Sequence, residues 1–174
     1  MQLSIKNLLL LAISTSALVI ERDAATTKKD LATINADTVI FTDKVNNYIG
    51  GFTVLDVNAA QNQLTDDIKT ATTNAQNGGA VTSAEAQQIL DYINGTLEPN
   101  VAKSITALKN KKAQFEKDGF KQVALDGLKT TKTNNQALGD ALLKNTPSDK
   151  KSAAQAAQAK INADFDSGIA AFSS

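Results

Sequence analysis

Apolar residues recur three and four positions apart along most of this chain, the spacing that gathers side chains onto one face of an α-helix. From about Thr27 to Ile49 the stripe is Leu31, Ile34, Phe41, Val45 and Tyr48, with Thr38 filling the gap, and Gly50-Gly51 stops it. A second stripe from about Val54 to Asn77 runs Val57, Ala60, Leu64, Ile68, Ala71, Ala75 and stops at Gly78-Gly79. Thr82-Ser83-Ala84-Glu85 reads as a capping box opening a short helix with Ile89, Leu90 and Ile93 inside. Asn94-Gly95-Thr96 is expected to break that helix, and Pro99 fits the first turn of the next. There the stripe is Leu97, Val101, Ile105, Leu108 and Phe115, with Lys112 in the one missing place, up to a hinge at Asp118-Gly119. The following stripe, Ala124, Leu128, Thr131, Asn135, Leu138, Leu142, turns polar for one turn and then apolar again. Asn145-Thr146-Pro147 punctuates, and Ser148 is expected to cap a last helix carrying Ala154, Ala157, Ile161, Phe165, Ile169 and Phe172. No strand pattern competes. The spacing predicts an all-α, up-and-down bundle of five long amphipathic helices plus one shorter helix, with short connections implying antiparallel neighbours.

Composition narrows what such a bundle can do. At 174 residues the chain suffices for one domain with a real core. It has no histidine, hence no neutral-pH base of the usual kind, and no cysteine, hence no thiol nucleophile and no disulfides. Serine-histidine and cysteine-histidine hydrolysis are excluded, and no metal or cofactor is expected. The carboxylate pairs Asp66-Asp67 and Asp164-x-Asp166 occupy adjacent or alternate helix positions, which do not converge on one site. The chain does not read as an enzyme. Lys+Arg and Asp+Glu balance at 18 each, so nothing draws it to nucleic acid. Lysines 103, 109, 111, 112, 117, 121, 129 and 132 read as a solvated face.

Residues 1–17 read as a signal peptide: Lys6, then the apolar run Leu8 to Ile13, then Thr15 and Ala17 before a cut. That run is shorter than the about 20 residues a bilayer span needs. A single domain over residues 18–174 is then expected, secreted, at most loosely held at the cell wall, and without integral membrane association. Asn94-Gly95-Thr96 also offers an N-glycosylation acceptor at Asn94.

The order of features resembles the fungal hydrophobic-surface-binding proteins, among them the ligand-binding domains of cell-wall galactomannoproteins. The matching residues are Asp30-Leu31 with Ile34 and Tyr48, Leu97-x-Pro99, Leu108 with Lys111-Lys112-x-x-Phe115, Leu138-Gly139-Asp140-Ala141-Leu142, Pro147, and Asp164-Phe165-Asp166-Ser167-Gly168-Ile169. The resemblance implies a secreted helical bundle that encloses long-chain fatty acids or similar lipids in an apolar cavity. The alternative is adsorption to hydrophobic surfaces such as wax or polyester through opened amphipathic helices.

The helical pattern supplies the candidate contacts. An acyl chain would meet Ile34, Phe41 and Val45 of the first helix, Leu64, Ile68 and Ala71 of the second, and Ile89 and Ile93 of the short one. Beyond them come Ile105, Leu108 and Phe115, then Leu128, Leu138 and Leu142, and last Phe165. Burying a dozen methylenes at about 0.8 kcal/mol each gives roughly 10 kcal/mol before the costs of association. Thr131, Asn135 or Lys112 would serve the head group, because an unpaired buried carboxylate is prohibitive.

Overall fold

Every apolar stripe becomes a helix. The structure, a computed structural model, describes the backbone of residues 5–174 and the side chains of residues 23–174. Of the expected leader over residues 1–17, residues 1–4 lie outside the described residues and residues 5–17 are described in backbone only. In chain order the elements are α1 (Ile5–Asn46), α2 (Thr53–Asn77), α3 (Ser83–Tyr92), a π-helical turn (Ile93–Leu97), α4 (Glu98–Lys117), α5 (Lys121–Asn145) and α6 (Lys151–Ser173). There are thus five long helices and one short one, and no strand among the described residues. No described helix is long and apolar enough to cross a membrane.

Two expected boundaries differ. Asn94-Gly95-Thr96 does not break the chain's course: α3 passes into α4 through the π turn, in which the Glu98 N–H donates back five residues to the Ile93 carbonyl. Pro99 has no N–H to donate and its ring crowds the turn before it, so the ladder widens ahead of it rather than ending. The wide turn keeps Leu97 pointing inward. Ser148 does not cap α6 either. Pro147 first closes a turn, accepting the Lys150 N–H at 3.0 Å, and the helix opens behind Lys150 with no side-chain cap. The Thr82–Glu85 capping box forms as expected, with the Glu85 carboxylate accepting the Thr82 N–H at 2.8 Å.

The five long helices close a ring in the order α1, α2, α5, α6, α4 and back to α1. Two seams are antiparallel, α1–α2 and α5–α6. The other three run parallel, against the expectation of antiparallel neighbours. Asn35 meets Asn100 and Tyr48 meets Lys111 along α1–α4. Lys109 meets Ser167 and Lys112 meets Ser174 along α4–α6. On α2–α5, Gln61 lies over Gly127 and Ala75 meets Asn145. The α4–α5 hairpin is therefore not a packed pair beyond its hinge, because α6 wedges between its arms. Gly168 permits the wedge: a Cβ there would sit 3.1 Å from Ile105 of α4 and 3.4 Å from Leu128 of α5.

One end of the ring is sealed by aromatics. The Tyr48 and Phe115 rings stack at 4.4 Å, and Phe172 meets Phe115 edge-on at 6.2 Å. The Tyr48 hydroxyl donates to Asp118 at 2.6 Å, and the Gln114 amide joins it at 2.8 Å. Those bonds hold the Asp118 carboxyl below the usual range, while burial and that carboxylate push the Tyr48 hydroxyl up. Gly50 is required at this corner. Its φ of 104° suits glycine, and a Cβ would come within 2.7 Å of the Asp118 carboxylate.

A row of apolar cavities along the bundle axis

Three voids lie one behind another inside the ring. The largest of these three, about 90 Å³, sits toward the end where α2 and α5 finish, beneath α3. Ile89, Ile93, Leu138 and Leu142 line it, with Leu31, Leu97, Ala157 and Ile161. The middle void, about 30 Å³, is walled by Ile34, Phe41, Leu64, Ile68, Ile105, Leu108, Leu128 and Phe165. The third, about 10 Å³, reaches Phe115, Val54, Val57 and Val123 at the aromatic end. Leu97 and Asn135 stand between the first and second, and Phe41, Gln61 and Leu108 between the second and third. Along α5 the row extends from Ala124 to Asn145, roughly 30 Å at 1.5 Å per residue.

Thirteen of the fifteen residues expected to meet an acyl chain border these voids. Val45 and Ala71 do not: both are buried against neighbouring helices, where the same stripe meets protein rather than space. The three candidates for the head group separate. Thr131 borders the middle void, but its hydroxyl donates to the Gly127 carbonyl at 2.9 Å within its own helix. Lys112 points away from the voids, its ammonium 3.6 Å from Glu116 and 3.0 Å from the Ser174 hydroxyl. Asn135 alone of the three stands in the wall between two voids, and among the described residues its amide makes no hydrogen bond. The mouth of the largest void carries polar groups that the stripe did not reveal, Asp23, Asn74, Asn145 and Gln158. These are engaged: Asp23 accepts from the Gly79 N–H at 2.8 Å, Asn74 donates to Asp30 at 2.9 Å, and Asn145 donates to the Ala75 carbonyl at 2.6 Å.

Among the described residues the two carboxylate pairs separate rather than converge. Asp66 is exposed and pairs with Lys69 at 3.0 Å, and Asp166 pairs with Lys132 at 2.5 Å. Asp67 turns instead to Asp37 on α1. Burial, then the bond and charge of Asp67, push the Asp37 carboxyl up to about 6. The same bond, aided by the Gln63 amide at 2.7 Å, holds Asp67 below its usual value, so one proton serves both groups. Burial also raises Asp164, with Glu98 adding to the shift. Among the described residues no cluster of carboxylates could hold a metal ion.

Among the described residues, the most exposed large apolar side chains gather in one place. At the α1–α2 turn, Ile49, Phe52 and Leu55 are 78, 90 and 61% exposed. Asn94, the expected glycan acceptor, is exposed in the π turn.

Solved structures share this architecture. AFMP4P in complex with palmitic acid superposes with a TM-score of 0.82 at 30% identity, covering 86% of this chain and 99% of that one. Ligand binding domain 1 of the Penicillium marneffei MP1 protein, complexed with arachidonic acids, gives 0.82 at 17% identity, covering 86% of this chain and 98% of that one. Ligand binding domain 2 of the same protein, complexed with multiple arachidonic acids, gives 0.80 at 21%, covering 85% and 94%. No curated protein sequence matches the chain. Residues 24–144 match the family described as hydrophobic surface binding protein A. With that match over more than half its length and a relative 30% identical along nearly the whole fold, this chain belongs to the hydrophobic surface binding protein A family.

Proposed function

We propose that the protein binds a long-chain fatty acid lengthwise along the row of voids, outside the cell that makes it. The observation that carries this reading is the alignment of three apolar voids on one axis, separated only by side chains. Leu97 with Asn135, and Phe41 with Gln61 and Leu108, form thin side-chain partitions, and rotating them joins the voids into one acyl tunnel. Asn135 stands where the tunnel is polar and has an amide donor to offer a carboxyl group. The 30% identity to a palmitate-bound protein of the same fold supports the ligand class. Secretion rests on the leader-like residues 1–17, and a glycan on Asn94 is consistent with that route. Thermal unfolding with palmitate at about 100 times its dissociation constant should show roughly 2.7 kcal/mol of added stability. No shift in melting temperature, together with no fatty acid in an organic extract of the purified protein, would sink the reading.

A second reading, adsorption to an apolar surface, is favoured by the bare α1–α2 turn. Phe52 is 90% exposed, and it offers a first contact without opening the bundle. Phe52→Ser should reduce saturable adsorption to polystyrene beads roughly tenfold, a change of about 1.4 kcal/mol, while leaving palmitate binding intact. Equal adsorption by the variant and the parent protein would remove this turn from the reading.

A further inference from the structure

We propose that α3 is a hinged lid over the largest void and that its opening admits the acyl chain. The proposal deepens the fatty-acid reading and rests on it for its purpose. Four features of this segment coincide. It lies directly over the void, contributing Ala86, Ile89 and Leu90 to the wall, with Ile93 at its root. It is short, ten residues, against twenty or more for every helix of the ring. Both its ends are articulated: Gly78-Gly79 precede it, and the π turn with Gly95 follows. A Cβ on Gly95 would meet nothing within 4 Å, so the turn has room to flex.

The polar bonds that hold α3 shut are peripheral. On its outer side Ser83 donates to Asp149 at 2.8 Å, Lys150 donates to Gln87 at 2.9 Å, and Lys28 donates to Gln88. All three are exposed hydrogen bonds, which water replaces at little cost. The Val81 N–H adds a backbone bond to the Asn145 carbonyl at 3.0 Å. On the inner side Ala86, Ile89 and Leu90 are buried but border the void, and α3 packs mainly on α1, the π turn and α6, so lifting it forfeits fewer contacts than lifting any ring helix. The ring itself need not open. Because the π turn already departs from α geometry, bending there breaks no α-helical ladder that α4 depends on.

The chain has no cysteine, so a pair introduced across the closed lid reports without interference. In the full chain carrying Ser83→Cys and Asp149→Cys, oxidation should tie α3 to the α5–α6 turn. Uptake of cis-parinaric acid, followed by its fluorescence, should then slow by at least roughly tenfold, and reduction should restore the parent rate. Uptake equally fast in the oxidised and reduced forms overturns the lid. If neither form binds the probe, the fatty-acid reading itself fails, and hydrogen exchange still decides the lid. The amides of Ala86 to Tyr92 should exchange roughly tenfold faster than those midway along α4, and slow on oxidation. Equal protection in the two helices overturns it.

Discussion

Phe115→Ala should destabilise the protein by about 3–5 kcal/mol, the largest loss expected from any single truncation. The side chain is 2% exposed and sits between two aromatic rings, stacked on Tyr48 and met edge-on by Phe172. It joins α1, α4 and α6 at the sealed end, so its removal leaves a hole that no single helix can move to fill. The Tyr48–Asp118 hydrogen bond, positioned by that stacking, would lose its orientation as well. At roughly 2–4 °C per kcal/mol for a chain of this size, the melting temperature should fall by on the order of 10 °C. A loss under about 1 kcal/mol in thermal or urea unfolding would mean that the aromatic end is not a packing centre.

The second large effect should fall on binding and spare stability. Ala157 is 3% exposed and faces the largest void from α6. Ala157→Leu puts its added carbons into empty space, where they make contacts at no packing cost, so the melting temperature should hold or rise. Palmitate would lose that space, and its affinity should fall by roughly 10–100-fold, or about 1.4–2.8 kcal/mol. Ala71→Leu supplies the comparison. Ala71 is equally buried but borders none of the voids, so the same enlargement should overpack the α2 seam at about 1–3 kcal/mol. Unchanged palmitate affinity in a well-folded Ala157→Leu protein would place the acyl chain elsewhere.

The contrast between Ala71 and Ala157 also shows what the sequence holds. Helix positions and inner faces were legible because a 3.6-residue period is written locally: Leu31 to Tyr48, Val57 to Ala75 and Ile161 to Phe172 face inward as their spacing predicts. Which inward residue meets space and which meets a neighbour was not, since that depends on helices far away in the chain. Ala71 and Val45 follow the period as faithfully as Ile68 and Phe41, yet they end against protein. Among the polar positions Thr131, Asn135 and Lys112, the deciding factor was what each could bond locally. A threonine reaches its own backbone and a lysine reaches solvent, whereas the half-buried Asn135 stands in the wall with its amide unbonded among the described residues. The π turn was hidden for a related reason. Asn94-Gly95 ahead of Pro99 carries every mark of a break, but Ile93 and Leu97 keep the backbone wound by burying against the ring. Asp37 and Asp67 sit on different helices and meet only once α1 and α2 pack, so no local spacing marks the pair.

The parallel seams bear on how the chain reaches this state. An up-and-down bundle whose neighbours are also sequential can assemble by successive local hairpins, each with a small loop to close. Here only α1–α2 and α5–α6 form that way. The remaining seams join residues 65 apart at Asn35–Asn100, 70 apart at Ala75–Asn145 and 58 apart at Lys109–Ser167. Such long-range closures give the bundle a higher contact order than its helices suggest, so it folds more slowly than a meander of equal size. The two hairpins are therefore the local units expected to form early, and α4, joined to α1 and α6 only by long-range seams, is the helix expected to complete the ring.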